Sequence, residues 1–159
     1  MKLNIEIDTK RVLAAIIKAP EAFTREVRRE MKSEMAAVQE YAVGHHKFTS
    51  ISGNLDKSIK TEVTQSGFLG TTYLSDRIAK YGKYVHSGTG IYGKRKRPIR
   101  PKRGKFLKFT GKDGRDVFVK EVKGQKADPF LYRSFGRRKQ KIVDNLNRAI
   151  QRGFKKAGL

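Results

Sequence analysis

Apolar side chains at Phe23, Val27, Met31, Met35, Val38 and Ala42 follow one another at spacings of three or four. That rhythm lays one hydrophobic stripe along a helical face and predicts a long helix over 20–44, roughly 37 Å at about 1.5 Å per residue. Pro20 suits its first turn, where no backbone donor is missed. Met31 and Met35 read as core filler. Upstream, Leu3, Ile5 and Ile7 alternate with polar residues as a short opening strand does. Asp8 or Thr9 then stands where a helix running through Ile17 takes its cap.

In the middle of the chain the rhythm changes. Residues 58–64 and 68–73 are short β-prone runs around Ser66-Gly67, and 106–110 with 116–122 flank the hairpin signal Asp113-Gly114. Helical spacing returns with Phe135, Ile142, Leu146, Ile150 and Phe154. It leaves Arg137, Arg138, Lys139, Lys141, Arg148 and Arg152 mostly on other faces. The expected fold is α+β: a small antiparallel sheet of about four strands packed against a long N-terminal helix and a C-terminal helix. At 159 residues the chain fits a single domain, 1–159, large enough to bury a core.

Charge changes this picture by pointing to a partner. The formal net charge is +22. Residues 1–40 hold eight basic and seven acidic side chains, so nearly all the excess lies beyond them. It peaks in 90–105, GIYGKRKRPIRPKRGK, where Lys94, Arg95, Lys96, Arg97, Arg100, Lys102, Arg103 and Lys105 occur with no acid. These cations lie within a Debye length of roughly 8 Å of one another at physiological salt, so they call for a polyanion. Pro98 and Pro101 exclude helix and central strand there, while Gly90, Gly93 and Gly104 loosen the flanks. The segment is expected to be a protruding basic loop. No apolar run approaches the roughly 20 residues of a membrane span, and no signal-peptide pattern begins the chain, so no membrane partner is expected. The lack of cysteine rules out disulfides and thiolate metal sites.

Candidate catalytic chemistry is thin, and neither a cofactor nor a metal is expected. Gly88 to Gly93 matches G-x-G-x-x-G, yet a proline-broken basic loop follows it instead of the helix that a pyrophosphate site needs. Pro98 to Pro101 matches P-x-x-P, and Lys94 to Pro98 resembles a nuclear-localisation run; both patterns are common in arginine-rich loops. His45 and His46 are neighbours, so on a helix they point about 100° apart and cannot share a metal as an i, i+4 pair does. His86, between Val85 and Ser87, reads as a hydrogen-bonded structural imidazole.

Two segments around the basic loop carry a family likeness. Tyr81-Gly82-Lys83-Tyr84-Val85-His86-Ser87-Gly88-Thr89 precedes it, and Ala127-Asp128-Pro129-Phe130-Leu131-Tyr132-Arg133-Ser134-Phe135 follows it. With the earlier Ser52-Gly53-Asn54-Leu55-Asp56-Lys57-Ser58-Ile59, they resemble the tail-completion or head-tail joining family of tailed bacteriophages, akin to minor tail protein Z. The likeness covers roughly residues 20–155. It singles out Gly53, Leu55, Ser58, Tyr84, His86, Gly88, Thr89, Pro129, Phe130 and Leu131 as structural or interface positions and carries over no catalytic residue. The long basic insertion departs from shorter family versions.

What the resemblance implies is a structural virion protein and not an enzyme. It would assemble with itself as a ring at the neck, between the head connector and the tail terminator or tube proteins, after assembly in the host cytoplasm. The genome would pass through its lumen. A conduit for double-stranded DNA should touch phosphates without reading bases, and the cations of 90–105 have that chemistry. Sixteen residues span at most about 55 Å extended and roughly half that folded back. The alternative is a free RNA- or ribosome-associated protein. Such proteins interleave aromatics with cations, whereas the loop offers only Tyr92, with Phe106 at its edge.

Overall fold

The computed structural model describes residues 2–5, 21–50, 52–111 and 113–156. The expected helix through Ile17, its cap at Asp8 or Thr9, and Pro20 fall outside these residues, as does Ile7. Contacts divide the chain into two compact units, Met1–Lys80 with Phe130–Leu159, and Tyr81–Pro129.

The first unit is built on two long helices, α1 (Glu21–Gly44) and, at the far end of the chain, α4 (Phe130–Lys156). All six residues of the predicted stripe on α1 are buried, Met31 and Met35 among them. Phe23, Val27, Met31, Met35 and Val38 pack with Ile142 and Leu146 of α4, while Phe135, Ile150 and Phe154 lie half-buried against the same cluster. Helix approach is close near Phe23. A Cβ on Gly153 would stand 2.7 Å from the Phe23 ring, so only glycine leaves room there, and the Phe23 and Phe154 rings sit 5.0 Å apart.

Against α1 lies a three-stranded antiparallel sheet in the order β1-β3-β2, from β1 (Lys2–Ile5), β2 (Ile59–Val63) and β3 (Gly70–Leu74). Alternation sets its inner face: Gly70, Thr72 and Leu74 of β3 are buried, and the ladder runs from Ile59↔Leu74 to Val63↔Gly70. The Gln39 side chain donates to Ile59 O at 2.7 Å, tying α1 to β2. Just before β2, the short α2 (Asn54–Ser58) buries Leu55 and Ser58, whose hydroxyl donates to Leu55 O at 2.6 Å.

The second unit holds α3 (Gly82–Ser87), a 3-10 turn at Gly90–Tyr92, and a two-stranded antiparallel ribbon of β4 (Leu107–Thr110) and β5 (Asp116–Val119). The α+β class and both hairpins match expectation, but the four expected strands do not form one sheet. The place beside β3 opposite β2 is taken by β1, and the second hairpin belongs to the other unit.

Candidate nucleic-acid interface

The basic segment owes its shape to backbone crossings. Thr89 N donates to Gln125 O and Ile91 N to Lys123 O, each at 2.9 Å, and Gln125 N donates to the Thr89 hydroxyl at 2.9 Å. Gly90 and Gly124 make this approach feasible. Their φ values are +61° and +91°, and a Cβ would lie 2.1 Å from Lys123 O in the first case and 2.3 Å from Thr89 O in the second. The glycine-rich run that imitates a dinucleotide fingerprint therefore serves a chain crossing. Two of the three family-like segments also meet here, as Asp128 N donates to Val85 O at 3.0 Å.

A second tether lies further on. Ile99 and Val122 exchange backbone hydrogen bonds of 2.8 and 3.0 Å. The sequence predicts a protruding basic loop with flanks loosened by glycine; backbone hydrogen bonds hold it at Ile91 and at Ile99. Between these points Lys96 takes a left-handed φ of 51°, unusual for a side chain with a Cβ, and its N–H donates to Gly93 O at 3.2 Å. Lys94, Arg95, Lys96 and Arg97 are thus displayed on a short closed loop.

All eight candidate cations are exposed. Arg100 pairs with Glu121 at 2.8 Å. Among the described residues the other seven have no ion-pair partner. Local acids cannot supply one: Lys108 holds Asp116 at 2.7 Å, Arg115 stands 3.8 Å from Asp113, and Asp128 is buried. Residues 81–129 contain fifteen basic and four acidic side chains, so the excess positive charge faces water.

The basic C-terminal helix behaves differently. Glu26, Glu30 and Glu34, spaced four apart on α1, face it: Lys156 reaches Glu26 at 2.7 Å, Arg152 reaches Glu30 at 2.7 Å, and Arg138 reaches Glu34 at 3.0 Å. Asn145 also donates to Glu34. The hydrogen bond from Lys156 holds the Glu26 carboxyl below its ordinary range, against desolvation and with help from Arg29, Lys156 and Arg152 charges. Arg138 and Arg152, placed by sequence reasoning mostly away from the packed face, are therefore structural. The signal that could have shown this is the i, i+4 row of acids on α1.

The family-like positions separate by burial. Leu55, Ser58, His86, Phe130 and Leu131 are buried, Gly88 is enclosed, and Gly53 and Thr89 are half-buried. Pro129 and Tyr84 are exposed, so the helix-opening anchor consists of Phe130 and Leu131. The histidines do not converge. His45 stacks on Tyr41 at 3.8 Å, whereas His46 stacks on Phe48 at 3.6 Å with Nε2 3.2 Å from Asp56. Among the described residues no group of three His, Cys, Asp or Glu could hold a metal ion, and no helix is long and apolar enough to cross a membrane.

The loop itself offers only Tyr92, with Phe106 at its edge, but the ribbon that follows it in the chain also exposes Phe109 and Phe118. No known family, curated protein or solved structure matches the chain.

Proposed function

We propose that the protein is a structural component of a bacteriophage neck, forming a ring at the head-tail junction and touching duplex DNA through Lys94–Arg97 and its neighbours. The observation that carries the reading is the set of seven exposed, uncompensated cations on a tethered loop. Such a patch attracts phosphate of any sequence. The family-like segments flanking it, in the family's order, supply the neck context. The role is non-enzymatic.

The test replaces Lys94, Arg95, Lys96 and Arg97 with serine. These side chains are exposed, so stability should change by well under about 1 kcal/mol. The slope of log affinity for duplex DNA against log salt should fall by as much as about 3.6, equally for unrelated sequences. Imaging of the purified protein at high concentration should reveal closed rings. A monomer at all concentrations, or an unchanged slope, would remove the neck reading or the loop's part in it. The second reading, a free RNA-associated protein, gains support from the exposed phenylalanines of the ribbon.

A further inference from the structure

The ribbon has two faces of different character. Register places Leu107 opposite Val119 and Phe109 opposite Val117 on one face, and Lys108 opposite Phe118 and Thr110 opposite Asp116 on the other. The valines and Leu107 are half-buried. Phe109 on that face is 45% exposed; on the second face Phe118 is 59% exposed, and Phe106, directly before β4, is 51% exposed. Lys108 Nζ lies 5.6 Å from the centre of the Phe118 ring, and Lys126 Nζ lies 5.8 Å from that of Tyr92.

Keeping several rings in water forgoes the hydrophobic gain of burying them, and exposed apolar clusters of this kind mark binding surfaces. Here the rings stand among cations: Lys108, over Phe118, is paired with Asp116, whereas Lys105, next to Phe106 in the chain, and Lys126, over Tyr92, have no ion-pair partner among the described residues. A ligand that satisfies both carries flat apolar faces and regular negative charge. We infer that the β4–β5 ribbon binds single-stranded nucleic acid, stacking unpaired bases on Phe118 and Phe106 while the cations of 94–105 hold the phosphates.

Other occupants satisfy less of the surface. Duplex bases are stacked on one another, so a duplex uses the cations and leaves the rings wet. An acidic protein segment meets the charge but has no use for ring faces standing beside lysines. A second copy would bring two strongly positive units together. The inference goes beyond the neck reading: it shares the basic loop with that reading and adds the ribbon's rings.

Binding is measured with labelled oligo(dT), oligo(U) and a mixed-sequence duplex of equal phosphate number. Phe118→Leu and Phe106→Leu should each weaken both single strands by about 5- to 150-fold, the range expected for one lost base stack, and leave the duplex within about 2-fold. Phe118→Tyr should bind like the wild type. The ring variants should keep the wild-type salt slope, whereas the four-serine variant should lower it for all ligands. Preference for oligo(U) or for oligo(dT) would identify RNA or DNA as the source; either supports the site. Unchanged single-strand affinity in Phe118→Leu, equal loss on the duplex, competition by poly-glutamate as strong as by oligo(dT), or self-association that depends on Phe118 would overturn it.

Discussion

Phe130 is fully buried at the first turn of α4, its ring 5.3 Å from that of Phe48 in an edge-on arrangement. Removing it leaves a cavity at the start of α4, beside Phe48. Phe130→Ala should cost about 3–5 kcal/mol in chemical denaturation, whereas Pro129→Ala, at an exposed position, should stay within about 0.5 kcal/mol. Equal stability of Phe130→Ala and wild type would show that this side chain is not an anchor. Much at this scale was legible beforehand: the stripe from Phe23 to Ala42 follows helical spacing, and burial follows the stripe. Gly90 and Gly124 were not, because their need for glycine arises from a crossing between segments more than thirty residues apart.

At the scale of elements, the α1–α4 pair joins an apolar seam to a row of ion pairs. Linkage fixes the sign of its pH response. Because the folded Glu26 carboxyl lies below its unfolded value of 4.5, its stabilisation is complete above that value and is lost as the pH falls through the lower folded one. Glu26→Gln should therefore flatten the loss of melting temperature between about pH 6 and pH 3 relative to wild type. A parallel decline in both proteins would assign the acid sensitivity to other carboxylates. The i, i+4 spacing of Glu26, Glu30 and Glu34 marks the row in the sequence without naming its partner, and the division into two sheets leaves no such mark. Charges on a helix look alike whether they meet water or another helix, and strand propensity does not choose a strand's neighbour. The turn signals Ser66-Gly67 and Asp113-Gly114 do specify local pairing, which explains why both hairpins were foreseen while their partition was not.

For the whole molecule, two electrostatic effects oppose each other. Salt weakens the pairs between α1 and α4, but it also screens the mutual repulsion of a chain with formal net charge +22. The Glu26 and Glu34 carboxylates of these pairs are buried, so salt screens them less than it screens the exposed like charges, and relief of repulsion should win. Melting temperature is expected to rise when sodium chloride increases from about 0.05 to 0.5 M; a fall would make the interhelical pairs dominant.

The hydrogen bonds between Ile99 and Val122 change what kind of object the basic segment is. Seven residues separate the tethers at Ile91 and Ile99, so the part bearing Lys94 to Arg97 reaches no more than about 12 Å when folded back on itself, under half the span of an untethered loop. Four charges are held on a short stud whose backbone is already ordered. A polyanion arriving there meets a fixed charge array and does not have to freeze a floppy chain, so little of the attraction is lost to ordering. A partner must come to the stud, because the stud cannot extend far from its two tethers.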